Sequence, residues 1–208
     1  MEGTKKVIFL GPPAAGKSSL RKFVFDGIPA EKVLNDPSMP TVNIKYSKYN
    51  YKFSYPIQIK DAMSEDTPFN LVVVDTAGQQ IKRWLNEKKF SLFPGSDHIL
   101  FVLDSLAWKI KRERKFIAFL IEKMLQLREE LAHDASFSIL CHKYDLVDDV
   151  KALKLVNQVY KQVRPIIKNL GLNEQDIKIE VTSLAKKYQK HTMLKILTLI
   201  SESFIEVR

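Results

Sequence analysis

The sequence predicts a single α/β domain: a mostly parallel central sheet with helices on both faces. Three observations carry this. Strand-like apolar runs alternate with stretches of helical period throughout the 208 residues, the pattern of βαβ units. The stretch Gly11-Pro12-Pro13-Ala14-Ala15-Gly16-Lys17-Ser18 fits the phosphate-loop pattern of two glycines four residues apart followed by Lys and a hydroxyl residue. Two apolar runs end in an acid, Leu71–Val74 before Asp75 and Ile99–Leu103 before Asp104. Central parallel strands deliver ligand-binding side chains at such C-terminal ends.

Taken in order, Lys5–Leu10 reads as the first buried strand and Ser19–Phe25 as a helix, so the loop between them has the flanks a phosphate loop requires. Its backbone N–H groups form an anion nest at the positive end of the helix dipole. Gly11 and Gly16 supply backbone conformations that a side chain would block. Gly11, Ala14, Ala15, Gly16, Lys17, Ser18 and Ser19 are the phosphate-binding candidates. Lys17 is placed to reach the β- and γ-phosphates, and the Ser18 hydroxyl to ligate Mg²⁺. The loop by itself names a nucleoside triphosphate, without the base.

Gly27–Pro40 contains three prolines and no sustained period, and reads as an exposed loop. Val42, Ile44 and Tyr46 alternate with polar residues, and after a phase change so do Tyr49, Tyr51, Phe53, Tyr55, Ile57 and Ile59. Two strand pieces with a bulge or turn near Ser47-Lys48 account for the slip, and Pro56 argues for a sheet edge. Asp61–Pro68 is a polar turn before the Leu71–Asp75 strand. Ile117, Leu120, Met124, Leu127 and Leu131 share one helical face, as do Leu153, Val156, Tyr160, Val163 and Ile167, with Pro165 kinking or restarting that helix. Phe137–Cys141 and Ile177–Val181 read as the remaining strands. Met193, Ile196, Leu197, Ile200 and Phe204 form a last apolar stripe.

The composition narrows the function classes. Hydrophobic residues at 45% and charged residues at 27% favour neither disorder nor a membrane span. The single cysteine, Cys141, permits no internal disulfide framework and reads as a buried thiol of a reducing compartment. The four histidines lack metal-ligand spacing. A net charge of +9 is densest at Lys109-Ile110-Lys111-Arg112-Glu113-Arg114-Lys115, read as a solvated helix face. No interleaved aromatics there suggest nucleic acid. Met1 to Lys6 lacks the pattern of a secretory start, so a cytoplasmic protein is expected. No lipidation site is evident, so membrane contact is expected only indirectly or through the basic patch.

His142-Lys143-Tyr144-Asp145 directly follows a strand and resembles the Asn-Lys-x-Asp base-reading motif of regulatory GTPases, with His in place of Asn. A carboxylate at Asp145 can accept from guanine N1–H and the exocyclic amine together, which adenine cannot offer. Lys143 would lay its stem on the base, and Thr182-Ser183-Leu184 would offer backbone N–H to its O6. With Thr41 and Asp75-Thr76-Ala77-Gly78-Gln79 in order, the chain resembles the Ras superfamily of small GTPases from Lys5 to Val207. Lys17-Ser18-Ser19, His142–Val147 and Thr182–Leu184 look most like its Rag/Gtr branch.

The resemblance implies a P-loop GTPase fold with an extended β2–β3 hairpin, one G domain over residues 1–208, switch I at about 28–43 and switch II at about 75–90. It implies Thr41 completing the Mg²⁺ shell, Asp75 holding Mg²⁺ through water, Gly78 N–H reading the γ-phosphate and Gln79 orienting the attacking water. The implied metal ligands are thus Ser18, Thr41 and Asp75, and the catalytic set is Gln79, Lys17 and Thr41. Loss of the γ-phosphate would release both switch loops toward protein partners of the activator and exchange-factor type, or a homo- or heterodimeric GTPase partner. No Arg lies between Gly27 and Thr41, so slow hydrolysis is expected without a partner arginine.

Three departures stand out: Pro12-Pro13 removes two N–H donors, His142 replaces Asn, and the span from Thr41 to Asp75 is long and tyrosine-rich. Tyr49, Tyr51 and Tyr55 fit either a partner edge or plain strand packing. The Rag/Gtr family carries a further C-terminal dimerisation domain; the chain stops after the last predicted helix, so pairing through that domain is not carried over. Two alternatives stay open, a non-catalytic GTP-binding scaffold and a nucleoside monophosphate kinase, whose phosphate loop looks similar.

Overall fold

The structure, a computed structural model, describes residues 4–36, 44–51, 69–147 and 149–205. Six strands form one sheet: β1 Thr4–Leu10, β2 Lys45–Tyr51, β3 Phe69–Asp75, β4 His98–Asp104, β5 Ser136–His142 and β6 Ile177–Thr182, in the order β2-β3-β1-β4-β5-β6. All neighbours are parallel except β2 and β3, which pair antiparallel. Among the described residues seven α-helices lie between strands and an eighth follows β6: α1 Lys17–Val24, α2 Ala30–Asn35, α3 Ile81–Asn86, α4 Lys89–Leu92, α5 Ser105–Lys109, α6 Lys111–Leu131, α7 Asp149–Asn169 and α8 Gln189–Ile205.

The continuous apolar runs of the inner strands are explained by burial on both faces. From β1 and β4, Val7, Phe9, Leu100 and Val102 enter one core with Leu20 and Phe23 of α1, Val33 of α2 and Ile196 and Ile200 of α8. The alternate residues Ile8, Leu10, Ile99, Phe101 and Leu103 enter the other, with Leu85 of α3, Leu120 and Met124 of α6 and Val159 and Val163 of α7. Cys141 is fully buried, which raises its thiol to about 12. Because the strands are parallel, Asp75, Asp104, His142 and Thr182 emerge at one edge, with Phe9 opposite Asp75 and Asp104 opposite His142. The order changes direction at β1, so the crevice for a ligand opens where β1 runs into the phosphate loop.

Four expectations need correction. Residues Gly27–Pro40 contain helix α2, which holds because Ala30 and Val33 are buried against α1; Pro29 stands at its N-terminal cap rather than inside it. Strand β2 is unbroken, pairing residue by residue from Lys45 with Asp75 to Tyr51 with Phe69, without a bulge at Ser47-Lys48. The phase change has another cause: Ile44 packs toward one core and Tyr49 toward the other, so the edge strand serves both layers. The buried stripe of α7 is Leu155, Val159, Val163 and Ile167, while Leu153 is 72% exposed. That helix runs without restart through Pro165, which lies on its exposed side, where the freed carbonyl is open to solvent. Thr41, Phe53, Tyr55, Pro56 and the turn 61–68 lie outside the described residues, as does the far part of the hairpin.

Candidate functional site

The phosphate loop leaves β1 at Gly11, with φ 138, and enters α1 at Gly16, with φ 95; Ala14 also has positive φ, at 58. Such a succession turns backbone N–H groups toward one concavity. Ala15 is fully buried, and Ser18 and Ser19 lie in the first turn of α1. Lys17 is buried, and its Nζ donates to the carbonyls of Gly11, at 2.9 Å, and Pro12, at 2.7 Å. Burial lowers its pKa to about 8, against the opposing pull of Asp75.

Asp75 ends β3 almost fully buried, and its Oδ1 has no hydrogen-bond partner among the described residues. Its Oδ2 lies 3.7 Å from Nε of Arg21, a residue of α1 that sequence reasoning missed. Arg21 Nη1 donates to both Asp26 oxygens, at 2.9 and 2.8 Å, and to Tyr49 Oη at 3.0 Å; Tyr49 in turn donates to Asp26. A signal existed, since Arg21 stands four residues after Lys17 and therefore on the same face of α1. Beyond Asp75 the chain turns through Gly78–Gln80, with Gln79 exposed. Gly78 sits directly on the prolines of the phosphate loop: a Cβ there would lie 2.5 Å from Pro13 N and 2.6 Å from Pro12 C. Only glycine permits that approach.

The other end of the crevice is built from β5 and β6. His142 is buried, and its Nδ1 lies 3.0 Å from Thr182 Oγ1. A Cβ on Gly16 would come within 2.4 Å of the His142 ring, so this side chain packs on the start of α1. Burial, helped by the Lys143 charge, lowers the His142 pKa to about 4 despite Asp145 and Asp104. Lys143 takes a left-handed conformation, φ 59, and its Nζ donates to the Ala14 carbonyl and to Asp104 Oδ2, both at 2.7 Å. That pair of contacts joins the two motifs into one site. Asp104, the second acid the sequence shows at a strand end, also caps α5 through Leu106 N at 2.8 Å.

Asp145 lies in the short turn Tyr144–Leu146, and its Oδ1 accepts from Ser183 Oγ at 2.5 Å. The Ser183 N–H donates to Thr192 Oγ1 at 2.9 Å, and Thr192 Oγ1 donates to the Ser183 carbonyl at 2.7 Å. Ser183 therefore faces Asp145 through its hydroxyl, and Leu184 is buried beside it. The phosphate loop, Gly78 and the turn holding Asp145 with Ser183 are joined through the Gly78 and Lys143 contacts; Gln79 is exposed beside Gly78, and Thr41 lies outside the described residues. The arrangement suits a ligand with a polyanionic end over Lys17 and a base over Asp145.

The family model of the Gtr1/RagA G protein conserved region matches residues 6–200. Among solved structures, the Roco2 RocCORdC protein of Methanosarcina barkeri bound to GDP is similar over 96% of this chain, with 18% identity and a TM-score of 0.56. At that identity the likeness concerns the fold, and the chain spans 50% of that protein's length. No curated protein matches the sequence. The chain belongs to the Gtr1/RagA G protein family, and its fold is that of a P-loop GTPase.

Proposed function

We propose that this chain is a GTP-binding molecular switch that hydrolyses GTP slowly unaided and signals to protein partners through its switch loops. The observation that carries the reading is the Lys143 bridge, which fixes the base-reading turn against the phosphate loop at the Ala14 carbonyl. In this reading Asp145 exchanges its Ser183 hydrogen bond for guanine N1–H and the exocyclic amine, and the Leu184 N–H meets the base oxygen. Lys17 leaves the Gly11 and Pro12 carbonyls for the β- and γ-phosphates.

Mg²⁺ fits the donor set. Among the described residues no three His, Cys, Asp or Glu side chains group to hold a metal by themselves, and none is needed, since Mg²⁺ in such sites is held by phosphates with one or two protein oxygens. Ser18 and Thr41 would supply hydroxyl ligands, and Asp75, whose Oδ1 has no hydrogen-bond partner among the described residues, would hold the ion through water. When bound, the ion neutralises charge on the β- and γ-phosphates. Gly78 reads the γ-phosphate, and Gln79 orients the attacking water. Switch I spans about 28–43 and switch II about 75–90 of one G domain covering residues 1–208.

Slow turnover follows from the arginine inventory. Arg21 is committed to Asp26, Tyr49 and Asp75, and no other arginine is near in the switch I sequence. An arginine from an activating partner adds ~10³–10⁵ in rate. A second reading, a GTP-binding scaffold without turnover, draws on Gly78 resting against Pro12 and Pro13, where an incoming arginine would be crowded.

Denaturing the purified protein and identifying the released nucleotide by chromatography tests the first claim: GDP or GTP is expected, and adenine nucleotides would overturn it. Multiple-turnover hydrolysis with and without a candidate activator then separates switch from scaffold. No helix of the described residues is long and apolar enough to cross a membrane. We separately propose a cytoplasmic location, with any membrane contact made through partners or the basic patch.

A further inference from the structure

The basic run Lys109–Lys115 has no task in the nucleotide site. Its cations Lys109, Lys111, Arg112, Arg114 and Lys115 are in no ion pair among the described residues, whereas Lys5, Arg83, Arg128, Arg164, Lys178 and Lys195 each hold a carboxylate. Apolar side chains are exposed in the same place. Ile110, the extended residue joining α5 to α6, is 57% exposed, Leu146 55% and Leu106 39%, with the exposed Leu153 at the start of α7.

Between α5 and α7 lies a cavity of ≈ 170 Å³ lined by Lys109, Val147, Lys154, Leu155 and Gln158. Val147 and Leu155 are buried, giving it an apolar floor, and Lys109 and Lys154 stand in its walls. A volume of about 150 Å³ accommodates a benzene ring, so one aliphatic or aromatic side chain fits.

The geometry points to a docking surface for a protein partner carrying an acidic amphipathic segment, with one apolar side chain in this cavity and carboxylates on Lys109, Lys154 and the Lys111–Lys115 run. A concave pocket with cationic walls matches a side chain flanked by acids; a bilayer has no side chain to put there. The surface lies beside the base end of the site, since Leu146 closes the turn that holds Asp145, and α5 is capped by the same Asp104 that takes Lys143. Resting on the guanine reading proposed above, this position has a consequence: GDP and GTP present the same base, so the partner binds both forms alike, unlike one that reads the switches.

The test is fluorescence anisotropy with a labelled Glu-rich helical peptide carrying a central Leu, titrated with the protein loaded with GDP or with a non-hydrolysable GTP analogue. Saturable binding is expected, equal in the two forms and weakened by about tenfold or more in Lys109→Glu/Lys154→Glu. Replacing the peptide Leu by Ser weakens it as well, and nucleotide retention and melting temperature are unchanged in the variant. Absence of binding, or equal binding of a Lys-rich version of the peptide, overturns the docking surface. So does capture by phosphatidylserine vesicles that Lys109→Glu/Lys154→Glu abolishes and the peptide does not compete, which assigns the face to a membrane. Equal peptide binding to both forms with adenine as the released base would sink the guanine reading alone.

Discussion

At the base end of the crevice, Asp145, His142 and Ser183 are hydrogen-bonded to one another or to Thr182 and Thr192, while at the phosphate end Lys17 rests on carbonyls of its own loop and Asp75 keeps a buried oxygen with no partner among the described residues. Both ends belong to one site, yet they store different things. On the proposed reading the base end is satisfied before any ligand arrives, so guanine would have to displace a good hydrogen bond, and specificity would arise because only the right base returns it. The phosphate end holds a desolvated cation and an incompletely paired carboxylate, a costly arrangement that, on the same reading, a polyanion and its metal would relieve. Recognition would then be preformed at one end and electrostatically driven at the other.

The largest effect that would break this contrast is expected at Lys17. In Lys17→Met, loss of charged hydrogen bonds to the β-phosphate, and in GTP to the γ-phosphate as well, should weaken both nucleotides by about 10²–10⁴-fold, GTP the more, measured by titration with a fluorescent nucleotide analogue. The empty protein should move the other way. The native pKa of about 8 lies below the unfolded 10.5, so the unfolded chain binds more protons between these values. The cost is fully present below pH 8 and disappears as pH rises to 10.5. Lys17→Met should therefore be more stable than the parent at pH 7 by up to about 3 kcal/mol, with the advantage gone near pH 10.5, as urea unfolding would record. An advantage independent of pH would show that Lys17 is not held under strain.

At the satisfied end, Asp145→Asn should leave the melting temperature nearly unchanged and cost about 10–100-fold in guanine affinity, with adenine nucleotides gaining nothing comparable. A variant that unfolds instead would mean that the Asp145 to Ser183 contact is structural. His142→Asn sharpens the comparison through acid. With a native pKa of about 4 against 6.5 unfolded, His142 contributes stability that is lost as pH falls from 6.5 to 4. The variant should lose about 3 kcal/mol less than the parent across that window. A residual slope remains from His98, buried and lowered to about 3.

The smallest expected change is Tyr49→Phe. It removes the hydroxyl shared by Arg21 and Asp26 and should lower stability by about 1 kcal/mol, a shift of about 2–4 °C in melting. Guanine selectivity should stay as it is. A slower or faster Mg²⁺-dependent nucleotide release in this variant would show that the hairpin reaches Asp75 through Arg21.

The sequence by itself determined the phosphate loop, the strands ending in Asp75 and Asp104, and the turn that follows β5 at Asp145, because each depends on local backbone chemistry or on a period visible within a few residues. It also fixed the single inward face of α6, where the apolar spacing is unambiguous. Only the tertiary structure decided the pairing of Arg21 with Asp75, the seat of Lys143 between Ala14 and Asp104, and the contact of Gly78 with two prolines. The phases of β2 and α7 were likewise decided there, since Ile44 and Tyr49 serve opposite cores and Leu155 rather than Leu153 points inward. The physical reason is the same in each case. These partners are far apart in the chain and meet only when parallel strands bring their C-terminal ends to one edge, and which residue of an amphipathic run faces inward depends on the layer it is packed against.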